Sequence, residues 1–201
     1  MIKNIVFDLG NVLISYEPQK FISKYVKKEN QEKFFDIVFG SEEWQKLDRG
    51  TLEYKEAIEI FSKKLPEEKE AIEKLFCNNI QEVLFPIDKN LKLLPVLKEN
   101  KYNLYILSNF HRDSFLEIEK KCNFQKFFTG KIVSYSVKLL KPEKDIYLKL
   151  LNTYNLIPEE TLFIDDTLGN IIAANELNIK TIHLKEKENL DKELINLGIK
   201  I

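Results

Sequence analysis

The sequence predicts an α/β protein with a parallel β-sheet and an inserted helical segment. Short apolar runs, which are typical of buried strands, alternate with helical periodicity in the C-terminal half of the chain. The segment from Tyr16 to about Pro86 interrupts this alternation with roughly seventy residues, which is too long for a loop. In addition, polar and charged residues follow several apolar runs, where parallel sheets place their functional groups.

Five apolar runs contain the β-branched and aromatic residues that strands favour, and most are bounded by turn or polar residues. They are Asn4 to Asp8, Leu104 to Ser108, Lys131 to Ser134, Thr161 to Asp165 and Lys180 to Leu184. Because helical patterns lie between the later runs, we expect right-handed βαβ units and a parallel sheet.

Four segments repeat apolar residues mostly at the spacing of an amphipathic helix. Their positions include Leu91, Leu94 and Leu97; Phe115, Ile118 and Cys122; Ile146, Leu151 and Tyr154; and Ile171, Ala174 and Leu177. The third segment has Pro142 and Glu143 near its first turn, where proline is favoured. The helices are expected to connect the strands.

The inserted segment is rich in Glu and Lys and contains helical spacing, such as Phe21 with Tyr25 and Phe34 with Ile37. None of its residues forms a run that predicts a strand. We therefore predict a core of residues 1–15 plus 87–201 and a helical subdomain of residues 16–86. A chain of 201 residues with 44% apolar content is long enough for this arrangement.

Composition excludes several classes of partner. The 31 basic and 32 acidic residues nearly cancel, which favours neither nucleic acid nor a membrane surface. No apolar run reaches the roughly 18 residues of a membrane-spanning helix, and no leader precedes the first strand, so a cytoplasmic protein is expected. Cys77 and Cys122 lack metal-type spacing and are expected to be reduced, partly buried thiols.

Side chains that can take part in a reaction or bind a ligand follow three of the predicted strands. Asp8 follows Ile5-Val6-Phe7, the pair Ser108 and Asn109 follows a second strand, and the pair Asp165 and Asp166 follows a third. A carboxylate can attack phosphorus, and hydroxyl and backbone N–H groups can bind phosphate oxygens. Adjacent carboxylates repel each other and suit a hard cation such as Mg²⁺.

Each of these residues also has an ordinary structural interpretation. Asp8 can cap a turn, Ser108 and its neighbour can form a turn, and the Asp165 pair can cap the next helix. Lys141 can be one surface lysine among many, although Pro142 favours an extended backbone before it and a helix beyond it.

The ordered set of Asp8, Ser108, Lys141 with Pro142, and the Asp165 pair resembles the motifs of the haloacid dehalogenase-like (HAD) superfamily. Most members are Mg²⁺-dependent phosphatases. The resemblance spans nearly the whole chain and implies a Rossmannoid three-layer α/β/α core. The five strands, numbered along the chain, would lie in the order 5-4-1-2-3. Residues 16–86 would form the helical cap that covers the site and selects the substrate, and we call them the cap.

The resemblance also implies roles for individual residues. Asp8 would be the nucleophile, Ser108 would bind phosphate, and Lys141 would pair with both the nucleophile and the phosphate. Asn109 would contact the substrate.

By the same resemblance, Mg²⁺ would be held by Asp8, by the backbone carbonyl of Gly10, by Asp166, and by Asp165 directly or through water. Asn170, one helical turn past Asp166, is expected to orient these carboxylates, unless it is an ordinary asparagine at the N-terminus of a helix.

In the cap, Trp44, Asp48, Arg49 and Gly50 resemble an aromatic-x-x-x-Asp-Arg-Gly stretch that faces the active site in the family. Arg49 would then contact the substrate or close the cap. The alternative is a local ion pair of Arg49 with Asp48 or Glu53.

Gly10 departs from the family pattern, because phosphatases usually carry a second aspartate there as general acid and base. Losing such a group typically costs on the order of 10²–10⁴ in rate. The stretch from Asp8 to Val12 resembles a bacterial branch with the same glycine that includes glucose-1-phosphate phosphatases. A neighbouring group, a bound water or a good leaving group can compensate, or the protein is a feeble catalyst. His111 and Arg112 are the nearest substitutes, unless they are exposed residues of a helix.

The function predicted is a Mg²⁺-dependent phosphatase for a small phosphorylated metabolite, such as a sugar phosphate, acting as a monomer or weak homodimer. An L-2-haloacid dehalogenase also lacks the second aspartate, but it needs no metal and usually has threonine where this chain has Val12. A phosphomutase would need the missing aspartate. A catalytically weak metal- and phosphate-binding protein is the remaining alternative, which only Gly10 favours.

Overall fold

The computed structural model describes the backbone of residues 1–201 and every side chain except those of Asn78, Asn79 and Gln81. Along this backbone the strands are β1 (Asn4–Phe7), β2 (Ile14–Tyr16), β3 (Leu84–Pro86), β4 (Asn103–Ser108), β5 (Gly130–Val133), β6 (Thr161–Asp165) and β7 (Lys180–His183). The helices are α1 (Pro18–Tyr25), α2 (Gln31–Phe34), α3 (Glu42–Arg49), α4 (Tyr54–Lys64), α5 (Lys69–Lys74), α6 (Asp88–Leu91), α7 (Leu93–Glu99), α8 (Arg112–Cys122), α9 (Ser134–Val137), α10 (Lys144–Tyr154), α11 (Leu168–Asn175) and α12 (Leu190–Asn196).

The central sheet of the described backbone has five parallel strands in the order β5-β4-β1-β6-β7. Counting only these five strands along the chain, this is the predicted order 5-4-1-2-3 read from the opposite edge. The predicted α/β fold class is therefore confirmed. The labels differ because the short strands β2 and β3 lie between the first and second strands of the sheet.

Helices cover both faces of the sheet, so the core has three layers. The alternation of β1 shows this directly: Ile5 and Phe7 belong to one buried cluster, whereas Val6 belongs to another. The first cluster extends into the cap through Phe21 and Phe61, which are fully buried. Such two-sided burial explains why the central strands β1, β4 and β6 are mostly apolar.

The cap is tied to the core by a two-stranded antiparallel sheet of β2 and β3, and α1 to α5 lie between these strands. The expectation that residues 16–86 contain no strand was wrong, because Tyr16 and β3 are paired. Strands of three residues are too short to show alternation, and Pro86 disfavours a strand prediction. The division at residues 16 and 86 remains a prediction, although the paired strands lie at these positions.

Two further expectations concern surface properties. No helix among the described residues is both long and apolar enough to cross a membrane. Both cysteines are free: Cys122 is half-buried as expected, whereas Cys77 is exposed. The expectation for Cys77 was wrong because its side chain faces solvent from the π-helical turn Leu75–Asn79.

Candidate active site

The carboxyl ends of β1, β4 and β6 bring Asp8, Ser108 and Asp165 together. The strand β1 pairs with both neighbours, and the Asp8 N–H donates to the carbonyl of Ile164 at 2.9 Å. Ser108 Oγ then donates to Asp8 Oδ1 at 2.6 Å. All three side chains are buried, so the hydroxyl and both carboxylates lie within the protein at one edge of the sheet.

Lys141 completes this group from the loop before α10. Its Nζ lies 2.9 Å from Asp8 Oδ1 and 2.6 Å from Asp165 Oδ2, and the residue is only 5% exposed. Burial disfavours the charged form, but the charges of Asp8 and Asp165 outweigh it and raise the pKa of Lys141 above its ordinary value. The interpretation as a surface lysine was therefore wrong.

Asn109 holds the backbone of Lys141 in place. Its Nδ2 donates to the Lys141 carbonyl at 3.0 Å, and its Oδ1 accepts from the Lys141 N–H at 2.9 Å. The peptide bond between Lys141 and Pro142 is cis. Substrate contact was the only role predicted for Asn109, and this positioning role was missed because its partner lies 32 residues away in the sequence.

Asp8, Asp165 and Asp166 form a carboxylate cluster in which one oxygen of each lies within 4.8 Å of the others. Asn170 Nδ2 donates to both oxygens of Asp165 at 3.0 Å, so it orients this carboxylate as expected. Asn11 Nδ2 donates to Asp166 Oδ2 at 2.9 Å, a role that sequence reasoning missed. The signal available was an asparagine in the loop after Gly10; the structure gives it a left-handed φ of 52°.

The charges and donors of this cluster fit a divalent cation. The three carboxylates face one ammonium, Lys141, so two formal negative charges remain. Asp8 Oδ1 accepts from Ser108, Lys141 and the Leu9 N–H, whereas no described residue donates a hydrogen bond to Asp8 Oδ2. Burial raises the pKa of Asp8 to about 7; Lys141 opposes this shift and Asp165 adds to it. Hard carboxylate oxygens in this arrangement suit Mg²⁺.

A cavity of about 210 Å³ lies between the core and the cap. Its lining includes Tyr16, Trp44 and Asp48 from the cap and Gly10, Asn109 and Asp166 from the core. Apolar and polar side chains both line this cavity. It is smaller than the roughly 300–1,000 Å³ typical of drug-sized ligands, which favours a small metabolite over a protein segment.

His111 and Asp48 face each other across this cavity. His111 Nε2 lies 3.4 Å from Asp48 Oδ1, its Nδ1 lies 3.3 Å from Tyr54 Oη, and its ring packs against Trp44. Since His111 is only 3% exposed, its interpretation as an exposed helix residue was wrong, whereas Arg112 is exposed. No local sequence pattern indicates this burial, because Trp44 and Tyr54 come from the cap.

Burial sets the protonation of both groups. It lowers the pKa of His111 to about 3, so the imidazole is neutral at neutral pH. It raises the pKa of Asp48 to about 8; the charge of Asp8 adds to this shift and that of Lys141 opposes it. At neutral pH the pair therefore carries its proton on Asp48.

Arg49 joins the cap to the core. Its guanidinium pairs with the Glu143 carboxylate and donates to the Lys138 carbonyl at 3.0 Å. The described contacts contain no ion pair of Arg49 with Asp48 or Glu53, so the local alternative is not observed. Arg49 is also not among the residues that line the cavity.

A model of haloacid dehalogenase-like hydrolases matches residues 2–178 of the chain. A phosphorylated carbohydrates phosphatase from Thermotoga maritima is 25% identical over 96% of this chain and 90% of that protein. A D-ribitol-5-phosphate phosphatase from Bacteroides thetaiotaomicron is 27% identical over 96% of this chain and 97% of that protein.

Solved structures share the whole fold. The crystal structure of a HAD family enzyme from Bacteroides thetaiotaomicron matches with a TM-score of 0.79 and 28% identity, over 95% of this chain and 97% of that chain. A mutant of that enzyme was crystallised with magnesium and inorganic phosphate; it matches with a TM-score of 0.76 and 27% identity, over 91% and 94% of the two chains. An L-2-haloacid dehalogenase from Xanthobacter autotrophicus is 16% identical over 98% of this chain and 83% of that chain, with a TM-score of 0.67, so it shares the fold alone.

Proposed function

This chain belongs to the haloacid dehalogenase-like hydrolase family, and on that premise we propose that it is a Mg²⁺-dependent phosphatase for a small phosphorylated carbohydrate. One observation carries the proposal. The buried Lys141 ammonium bridges Asp8 and Asp165 beside a third carboxylate, Asp166. A nucleophile, a cation that binds phosphate and a set of metal ligands thus meet at one point.

The chemistry follows from these contacts. Asp8 attacks the phosphorus and forms an aspartyl-phosphate, which water then hydrolyses. Lys141 and Ser108 bind the phosphate oxygens and hold the carboxylate of Asp8 in line.

Mg²⁺, when bound by Asp8, Asp165, Asp166 and the carbonyl of Gly10, supplies the positive charge that offsets the repulsion between a carboxylate and a phosphate dianion. Asn170 and Asn11 hold Asp165 and Asp166, respectively, in orientation for this role.

The substrate class rests on the cavity and on the relatives. The cavity admits a small molecule, and the cap contributes polar side chains at Tyr16 and Asp48 beside the apolar ring of Trp44. Two relatives that cover nearly the whole chain are named for phosphorylated carbohydrates. Asn109 lines the cavity and is positioned to contact the substrate, whereas we assign Arg49 the closing of the cap.

A dehalogenase is disfavoured by the carboxylate cluster, because halide displacement from carbon needs no metal. A binding protein without turnover would need neither Asp8 nor Lys141 in this arrangement. Both alternatives are outcomes of the same experiment.

The test is phosphate release from a panel of sugar phosphates and from acetyl phosphate, with Mg²⁺ or with EDTA. We expect turnover with Mg²⁺ in the wild type, none with EDTA, and none in Asp8→Asn. Asp145→Asn is the matched control, because Asp145 is exposed at the start of α10. Turnover that persists in Asp8→Asn, or its absence from the wild type, would contradict the proposal; chloride release from 2-chloropropionate would then indicate a dehalogenase.

A further inference from the structure

We propose that Asp48 of the cap is the general acid and base of this enzyme. It would carry out the proton transfers that Gly10, which has no side chain, cannot perform. This inference rests on the proposed phosphatase function. It means that the catalytic machinery is complete only when the cap lies against the core.

The loop after β1 provides no acid or base side chain at Gly10. A Cβ built on Gly10 would meet only Asp8 Oδ2, at 3.9 Å, so the loop has room for a side chain but carries none. Among the described residues that line the cavity, the ionisable ones are Tyr16, Asp48, His111 and Asp166. Asp166 belongs to the carboxylate cluster. That leaves the other three as the side chains of the cavity from which the proton can come.

Of these three, Asp48 alone both holds a proton at neutral pH and releases it readily. Burial raises the pKa of Tyr16 far above its ordinary value, so its hydroxyl is too weak an acid. His111 is neutral, and the single N–H proton of a neutral imidazole is too weakly acidic to be transferred. The carboxyl of Asp48 is protonated near neutral pH, and a pKa close to the working pH is what general catalysis requires.

Three contacts hold Asp48 and its neighbours against the core. Ser134 Oγ donates to the Asp48 carbonyl, Arg49 pairs with Glu143, and Lys138 Nζ donates to the Gly50 carbonyl. These core partners lie between residues 134 and 143, the segment that also carries the phosphate-binding lysine. The position of Asp48 is thereby coupled to that of the reacting groups.

His111 supplies the second half of an acid–base pair. Its Nε2 is buried, has no hydrogen-bond partner among the described residues and lies 3.4 Å from Asp48 Oδ1. Tyr54 contacts the other ring nitrogen and Trp44 packs on the ring, so the imidazole is held in one orientation. Such a fixed neutral imidazole can stabilise either protonation state of the carboxyl beside it.

The reaction then has two chemical steps. An oxygen of Asp8 forms a bond to phosphorus, the bond from phosphorus to the sugar oxygen breaks, and that oxygen takes the Asp48 proton to leave as an alcohol. The Asp48 carboxylate then removes a proton from water as the water oxygen attacks phosphorus. The bond between phosphorus and Asp8 breaks, inorganic phosphate leaves, and Asp8 and protonated Asp48 are restored.

The experiment compares Asp48→Asn and Asp48→Glu with the wild type on two substrates, the best sugar phosphate and p-nitrophenyl phosphate. The nitrophenolate leaves without a proton, so Asp48→Asn should release a burst of one p-nitrophenol per enzyme at a rate close to wild type. Later turnover should be about 10²–10⁴-fold slower, because water lacks its base. On the sugar phosphate the same variant should lose even the first turnover. Asp48→Glu should restore part of the later turnover on p-nitrophenyl phosphate and part of the turnover on the sugar phosphate.

Asp36→Asn is the matched control, because Asp36 is an exposed aspartate of the cap. A merely structural role for Asp48 would slow the burst and the later turnover alike on both substrates, and that result would overturn the inference. Wild-type kinetics of Asp48→Asn on the sugar phosphate would also overturn it and leave the phosphatase function intact. A wild type without phosphatase turnover would instead overturn the proposed function, and this inference with it.

Discussion

Replacing Lys141 by methionine should strongly destabilise the protein, because it leaves two buried carboxylates without their counter-charge. The Lys141 ammonium lies 2.9 Å from Asp8 Oδ1 and 2.6 Å from Asp165 Oδ2, and its side chain is only 1% exposed. Two charge-assisted hydrogen bonds contribute about 1.5–3 kcal/mol each, which gives about 3–6 kcal/mol. The cost of breaking a buried ion pair by removing one partner is similar, about 3–5 kcal/mol.

The measurement is the free energy of unfolding from urea denaturation in EDTA at pH 7.5. A loss of about 3–6 kcal/mol lowers the melting temperature by about 6–24 °C in a protein of this length. Lys144→Met is the control, because Lys144 is exposed three residues away, and its effect should stay within about 0.5 kcal/mol. A loss below about 1 kcal/mol in Lys141→Met would refute the reasoning.

The loss should also grow with pH. Burial already raises the pKa of Asp8 to about 7 against the opposing effect of Lys141, so without the lysine the pKa of Asp8 rises further. Between the two pKa values the folded variant holds a proton that the folded wild type has released, and the stability difference increases with pH. The destabilisation should therefore be larger at pH 8 than at pH 6, and a loss independent of pH would contradict this account.

Asp166→Asn should abolish the thermal stabilisation by Mg²⁺, which for the wild type is about 2.7 kcal/mol at a Mg²⁺ concentration of 100 times Kd. A melting-temperature shift on adding Mg²⁺ that equals that of the wild type would exclude Asp166 as a ligand. Asp48→Asn should be more stable than the wild type at pH 8 but not at pH 4, because the pKa of Asp48 rises from 3.8 to about 8 on folding and stability falls as pH rises between these values. Urea denaturation at both pH values measures this, and equal stability at pH 8 would count against it. Gly50→Ala should lower the free energy of unfolding by at least about 1–2 kcal/mol, because φ is +70° and the new Cβ would lie 2.6 Å from a backbone oxygen of α9. Gly169→Ala is the control and should not lower it, because the space around Gly169 is open. Melting temperatures compare the two variants, and equal values would contradict this account.

The sheet was predictable because its signals are local. A strand buried on both faces is mostly apolar, as β1, β4 and β6 are. Each of the five predicted runs matches a strand of the sheet, with bounds that differ by at most one residue. The strands β2 and β3 carry no such signal, since each is three residues long and is stabilised by pairing with a segment far away in the sequence.

The floor of the site was predictable for a related reason. Parallel strands end at a common edge, so Asp8, Ser108 and Asp165 had to meet once the strand order was known. The structure has this arrangement: Ser108 donates a hydrogen bond to Asp8, and Lys141 forms a salt bridge with it.

The groups above this floor depend on the packing of the cap against the core. Nothing in the local sequence shows that His111 is buried against Trp44, that Arg49 pairs with Glu143 or that Asn109 holds the Lys141 backbone. The partners in these contacts are 67, 94 and 32 residues apart, and each contact forms only when distant segments are brought together. Local patterns thus specify the strands and the groups at their ends, whereas the protonation of Asp48 and His111 follows from a burial that only the folded chain creates.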